Sequence, residues 1–159
     1  MYVIEKAWRW EQILIEAVAE AKGSNYMDSN LAAGNAAVAG VPKCILVVED
    51  ETLIRYVVSD ELRDRGFQVV EACNADEAMF FLATMTPDLI VTDVQMPGSI
   101  DGAGLLAFVR KTFPDIPVFL TSGTWIPTKQ QMKSASRIIP KPISLDALVE
   151  AIRDELGIA

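Results

Sequence analysis

The 159-residue sequence predicts an α/β protein whose parallel sheet is covered by helices on both faces. From Lys43 onward, short apolar runs alternate with segments of helical period, the pattern of parallel strands joined by crossover helices. The runs CILVV, DLIVT and VFLTS are almost continuously apolar rather than alternating, as strands buried on both faces must be. Gly, Pro and Asn stand between the runs and punctuate them.

Taken in order, residues 2–21 place Val3, Ala7, Trp10, Leu14, Val18 and Ala21 on one stripe, with Glu5, Arg9, Gln12, Glu16 and Glu20 opposite. That spacing predicts an amphipathic helix over 1–22. Residues 23–42, rich in Gly, Asn, Ser and Ala, read as a linker closed by Pro42. The main domain then runs over 43–159. Its first strand is 44–48, followed by a helix over 52–65 that Gly66 ends. FQVVEA (67–72) is the second strand, and ADEAMFFLAT (75–84) a helix with Asn74 as its cap. The third strand is 88–92, followed by a Pro and Gly loop and the helix GAGLLAFVRKT over 102–112. The fourth strand is 118–122. In 123–136, GTWIPTKQQMKSAS, Pro127 and a Ser-rich tail predict only a short or irregular helix. RIIP (137–140) is the fifth strand and SLDALVEAIRDEL (144–156) the last helix.

Composition excludes several kinds of chemistry. Fourteen basic against twenty-two acidic residues give a formal charge of -8, which repels a phosphate backbone, so no nucleic-acid partner is expected. No apolar run reaches the roughly 18 residues of a membrane span. Charges at Glu5, Lys6, Arg9, Glu11 and Glu16 interrupt any signal-peptide core, so no membrane partner and a cytoplasmic setting are expected. Histidine is absent, which removes Ser-His-Asp and Cys-His catalysis, the usual zinc sites and any phosphohistidine donor role. Cys44 and Cys73 lie on or at the end of predicted strands without C-x-x-C spacing and read as buried free thiols.

In an open parallel sheet, ligands sit beyond the carboxyl ends of the strands. Glu49 and Asp50 follow the first strand, Asp93 the third, Ser122 ends the fourth, and Lys141 follows the fifth. Three crowded carboxylates repel unless a cation joins them or one takes a proton. An all-oxygen set of this kind suits Mg2+, which in turn recruits phosphate oxygens. Lys141 then pairs with a phosphoryl oxygen, Ser122 donates a hydrogen bond, and Asp93 is the candidate nucleophile of an aspartyl phosphate. Glu51 differs from its neighbours: it opens the following helix, where a negative charge suits the dipole.

The motifs VVEDE (47–51), TDVQMPG with SIDG (92–102), PVFLTSG (117–123) and PKP (140–142) resemble, in order, those of receiver domains of bacterial two-component response regulators. The resemblance covers roughly residues 43–157. It implies the flavodoxin-like, doubly wound five-stranded sheet in the order 2-1-3-4-5, with the helix over 1–22 as an addition. It implies Asp93 as phosphoacceptor, Glu49, Asp50, Asp93 and the backbone carbonyl of Gln95 as Mg2+ ligands, and Ser122 and Lys141 as the switch hydroxyl and phosphate-contacting lysine. It further implies that the N–H groups of Val94 and Gly123 meet phosphate oxygens, and that the Lys141–Pro142 bond is cis. Ile138 stands where the family often carries Phe or Tyr, and the Pro127 segment alters a face that commonly signals. The implied partners are a sensor histidine kinase or histidine phosphotransfer protein and a downstream protein target. Residues 1–22 and the 118–150 face are candidate surfaces for a homodimer.

The expected function is that of a single-domain response regulator, a phosphoacceptor switch that catalyses only its own phosphorylation and dephosphorylation. An aspartyl-phosphate phosphatase acting on external substrates is a competing reading, but such enzymes carry an acid two residues beyond the nucleophile, where Gln95 stands here. A phosphorylation-independent binding module on the same fold is a third, and the intact acceptor, acid and lysine positions count against it.

Overall fold

The computed structural model describes residues 41–123 and 128–158. The chain divides into two units, Met1–Pro42 and Lys43–Ala159, and all the elements named below belong to the second. The expected helix over 1–22, nearly all of the linker, and Thr124 to Pro127 lie outside the described residues.

Five strands form one parallel sheet: β1 (Cys44–Val48), β2 (Gln68–Ala72), β3 (Leu89–Asp93), β4 (Val118–Ser122) and β5 (Arg137–Pro140). Their order is β2-β1-β3-β4-β5 and every pairing is parallel. Composition explains which strand sits where. β1, β3 and β4 are buried along almost their whole length, whereas QVVEA and RIIP carry polar or charged residues and are only partly covered, so they take the edges. Pro140, which cannot donate to a ladder, is tolerated because β5 is an edge.

The connecting helices are α1 (Thr52–Asp64), α2 (Ala75–Leu82), α3 (Gly102–Thr112), α4 (Lys129–Ser134) and α5 (Leu145–Leu156). Asn74 caps α2 by accepting from the Glu77 N–H at 2.8 Å, and Asp101 caps α3 through the Gly104 N–H at 2.8 Å. The expected weak helix is α4, six residues long with no buried side chain. Two devices hold it: a capping box between Thr128 and Gln131 at its start, and Arg110 at its end. The Arg110 guanidinium donates to the carbonyls of Ser134, Ile116 and Pro114, tying α3 and the approach to β4 to the last turn of α4.

Ile45, Val47, Leu62, Leu89, Val91, Phe119, Leu148 and Ile152 form the centre of a core between the sheet and the helices α1 and α5. Burying each such side chain contributes about 1.5–3 kcal/mol. At the amino ends of β1 and β3, Asp88 accepts from the Cys44 N–H at 2.8 Å and from Lys43 Nζ at 2.9 Å. Burial pushes its carboxyl upward, but those two donors outweigh it and hold the pKa below the ordinary 3.8. A depressed acid contributes stability above its unfolded pKa and loses it as pH falls through the folded one. Asp88→Ala is therefore expected to cost about 1–3 kcal/mol at pH 7, measured by urea unfolding. The gap from wild type should close below pH 3.8.

Three details differ from the sequence-based expectation. Phe67 precedes β2 instead of opening it, because its N–H is taken by the Leu62 carbonyl in the turn after α1. β3 runs one residue later than expected, so Asp93 ends the strand and is not the residue after it. Cys73 is exposed and lies beyond β2, where its N–H serves the Glu77 carboxylate; only Cys44 is on a strand, and it is half-buried. Among the described residues, no helix is long and apolar enough to cross a membrane.

Candidate functional site

Strand register builds the site. β1 pairs with β3 so that Val48 faces Thr92, and the next residue on each strand is an acid: Glu49 and Asp93. The chain leaves β1 toward β2 on one side and returns to β3 on the other, so both acids stand at the point where the winding of the sheet reverses. β4 brings Ser122 to the same end. The Lys141 N–H continues the β5 ladder by donating to the Ser122 carbonyl at 2.7 Å, which sets the lysine beside them. The Lys141–Pro142 bond is cis, as expected.

The side chains converge. Lys141 Nζ stands 2.9 Å from Glu49 Oε2 and 3.0 Å from Asp93 Oδ2. Glu49 and Asp93 are only 4% and 7% exposed, and Ser122 5%. Asp50 is exposed, and Glu49, Asp50 and Asp93 each offer a carboxylate oxygen within 4.8 Å of the others. Burial, reinforced by repulsion from Asp93, raises the Glu49 carboxyl above its ordinary value despite the Lys141 hydrogen bond that opposes it. Burial alone would lower the Lys141 ammonium; its hydrogen bonds to Glu49 and Asp93 outweigh that and raise it.

One cation thus serves two buried carboxylates, with a third at the rim. Such a donor set fits a hard divalent ion: it is all oxygen, it carries more negative charge than Lys141 offsets, and its open side leaves room for water or phosphate oxygens. Glu51 occupies the cap position of α1 as expected, but its side chain makes no cap hydrogen bond; its N–H donates to Glu49 Oε1 at 3.3 Å.

Val94 directly follows Asp93 and is buried. Its N–H donates to the Thr121 carbonyl at 3.0 Å, because the β3–β4 ladder continues past Asp93. Gly123 is exposed directly after Ser122. Gln95 is exposed in the loop after β3.

Two further residues support the site without standing out in the sequence. Arg55 of α1 donates from Nη1 to the Glu49 carbonyl at 2.7 Å and reaches the Glu71 carboxylate at 3.5 Å, which holds the turn bearing the two acids against β2. Gly102 packs its Cα on the end of β3: a methyl group there would stand 1.8 Å from the Asp93 carbonyl oxygen. Its N–H donates to the Val94 carbonyl at 3.0 Å. Arg55 reads in sequence as one more polar position of an amphipathic helix, and Gly102 as the first residue of another. Their roles depend on what the fold sets against them.

Beside Lys141, the exposed face of α1 and the start of the β5–α5 connection enclose an apolar groove of about 340 Å³, walled by Leu53, Ile54, Val57, Pro142, Ile143 and Leu145. Leu53 is 68% and Val57 43% exposed.

Comparison with known proteins agrees with this geometry. The family model described as response regulator receiver domain matches residues 45–153. PdtaR, a transcriptional regulatory protein of Mycobacterium tuberculosis, is 33% identical over 117 residues, which are 72% of this chain and 57% of that protein. The nitrogen assimilation regulatory protein NtrX of Azorhizobium caulinodans is 36% identical over 66% of this chain and 24% of its own length. The chain therefore spans less than two thirds of the curated relatives it matches. Among solved structures, the response regulator TrrA of Thermotoga maritima, crystallised with Mg2+ and BeF, is 29% identical. It matches with a TM-score of 0.65, covering 71% of this chain and 98% of its own. NtrX of Brucella abortus matches at 30% identity and a TM-score of 0.68 over 74% of this chain and 27% of that one.

Proposed function

Because the chain belongs to the response regulator receiver domain family, we propose that it is a phosphoacceptor switch whose Asp93 takes a phosphoryl group from a phosphohistidine of a histidine kinase or histidine phosphotransfer protein. The observation that carries this reading is the convergence of Glu49, Asp93 and Lys141 within hydrogen-bond distance at the mouth of the central strands, with Asp50 at the rim.

In the transfer, an Asp93 carboxylate oxygen attacks phosphorus and the P–N bond to the donor imidazole breaks. The imidazole leaves with the bonding electron pair. Lys141, already at Asp93 Oδ2, exchanges a carboxylate oxygen for a phosphoryl oxygen and keeps its charge beside the growing negative charge. The Ser122 hydroxyl and the Gly123 N–H, at the end of β4, supply donors on the other side. Glu49, Asp50, Asp93 and the Gln95 carbonyl would hold Mg2+, which offsets charge on the transferring group. The Mg2+ and BeF bound by TrrA support that assignment, since BeF bound to a carboxylate is a phosphoryl mimic.

Capture of a phosphoryl oxygen by Ser122 and Lys141 favours whichever conformation brings them closer to Asp93. α4 buries no side chain and is held at its two ends, by its capping box and by Arg110. Ile138 is half-buried and pairs with Leu120, so no aromatic ring at that position couples the hydroxyl to the surface. The output we propose is an altered protein contact at α4 and its neighbours.

The donor must bring its imidazole to Asp93, and the apolar groove opens beside Lys141. We assign it to the donor protein's helices. Val57→Asp or Leu53→Asp, both at exposed positions, should slow transfer from a cognate donor protein at least about tenfold, the loss of roughly 1.4 kcal/mol of docking. Labelling by acetyl phosphate should be unchanged. Equal loss with both donors would remove the groove from recognition.

The test of the reading as a whole is incubation of the full chain with acetyl phosphate and Mg2+, followed by intact mass. One phosphoryl group, lost at alkaline pH as an acyl phosphate is, is the expected result. An unmodified chain under those conditions would refute it.

A further inference from the structure

The loop from Val94 to Asp101 carries Gln95 and leads from the acceptor strand to α3. Met96 is buried, but Pro97, Gly98 and Ser99 are exposed, so burial secures little of the loop's outer half. What does secure it comes from another element. Asp76, in the first turn of α2, accepts from the Ser99 hydroxyl at 2.5 Å through Oδ1 and from the Ser99 N–H at 3.3 Å through Oδ2. Gly98 allows this approach. Its φ is 143°, a conformation that side-chain-bearing residues rarely adopt, and a Cβ there would stand 3.3 Å from Asp76 Oδ2.

We propose that Asp76 and Ser99 form a latch that positions the β3–α3 loop, and with it the Gln95 carbonyl, for Mg2+. The inference rests on the phosphoacceptor reading above. Asp76 is not a metal ligand on this account. It is a positioning residue acting through Ser99, and it works by restricting the loop before the ion arrives, so that less ordering is left for binding to accomplish. Arg55 performs the matching task on the other side of the site, fixing the Glu49 carbonyl.

Two charge-assisted hydrogen bonds at an exposed position correspond to about a five- to tenfold change in affinity. Mg2+ titration of the full chain by calorimetry should show Ser99→Ala and Asp76→Ala each weakening binding by that factor, with the double variant no weaker than Asp76→Ala. Ser99→Ala is the decisive variant because it leaves the charge unchanged, so a loss there cannot come from removing an acid near the ion. Asp76→Asn, which keeps an acceptor for Ser99, should recover part of the loss. At saturating Mg2+, acetyl phosphate labelling of Ser99→Ala should return to the wild-type rate, separating metal affinity from phosphoryl transfer. Hydrogen exchange of residues 95–101 in the metal-free chain should be faster in both single variants while the rest of the sheet is unchanged. Ser99→Ala with wild-type Mg2+ affinity and wild-type exchange would overturn the latch alone. A wild-type chain that binds no Mg2+ would remove the phosphoacceptor reading and the latch's role with it.

Discussion

Asp93→Asn is expected to reduce phosphoryl labelling to background, at least about a hundredfold below wild type, because the amide that replaces the carboxylate is not a competent nucleophile. The fold should tolerate the change. Asp93 sits buried at the end of β3, and Asn has nearly the same shape and can still accept from Lys141. The substitution also removes one of the two carboxylates that share that ammonium. Repulsion from Asp93 is one of the causes raising the Glu49 carboxyl, so Glu49 should titrate closer to its ordinary value in the variant. Intact mass after acetyl phosphate treatment measures the first effect, and urea unfolding the second, with stability at neutral pH equal to or above that of wild type. Labelling retained in Asp93→Asn would move the acceptor elsewhere.

Lys141→Ala should separate metal binding from transfer. In the structure the ammonium is bonded to both Glu49 and Asp93, and the lysine side chain is only 21% exposed. Removing it leaves two buried carboxylates 4.8 Å or less apart with no cation between them. Stripping one partner from a buried ion pair costs about 3–5 kcal/mol; with the rim open to water, about 2–3 kcal/mol is the expected loss in the absence of metal. Mg2+ should restore most of it, since the ion replaces the missing positive charge. Its affinity should be unchanged or tighter, because a unit charge no longer stands about 3 Å from two of the proposed ligands. Labelling should nonetheless fall about a hundredfold, as nothing then holds the phosphoryl oxygen that Lys141 would meet. A Lys141→Ala chain that loses Mg2+ affinity and labelling together would contradict this division of roles.

Much of the fold is legible in the order of the amino acids. Continuous apolar runs mark β1, β3 and β4 to within a residue of their ends, since burial on both faces leaves no polar alternation to confuse the boundary. Asn74 is legible as a cap because its chemistry is local: its oxygen needs only the N–H three residues on. The weakness of α4 follows from Pro127 and the Ser-rich tail. Boundaries slip where a competing local bond decides them, as at Phe67. Cys73 is misjudged because nothing in its neighbourhood distinguishes the last strand residue from the first turn residue. Motif position alone says nothing of the strand ladder that commits the Val94 N–H to Thr121.

The order of the residues already names the candidates for the chemistry: an acid pair after the first strand, an acid at the third, a hydroxyl at the fourth and a lysine at the fifth, in a chain with no histidine. It also determined that they share one rim, because every strand of a parallel sheet points its carboxyl end the same way. How they meet depends on contacts between segments distant in the chain. Register between β1 and β3 set Glu49 beside Asp93, Lys141 bridged them from the far edge of the sheet, Arg55 bonded the Glu49 carbonyl, and Asp76 reached Ser99 in the loop after β3. Chemical capacity resides in side chains and can be read from their order. Positioning resides in distances between segments far apart in the chain, which arise when the sheet closes and the helices pack on it.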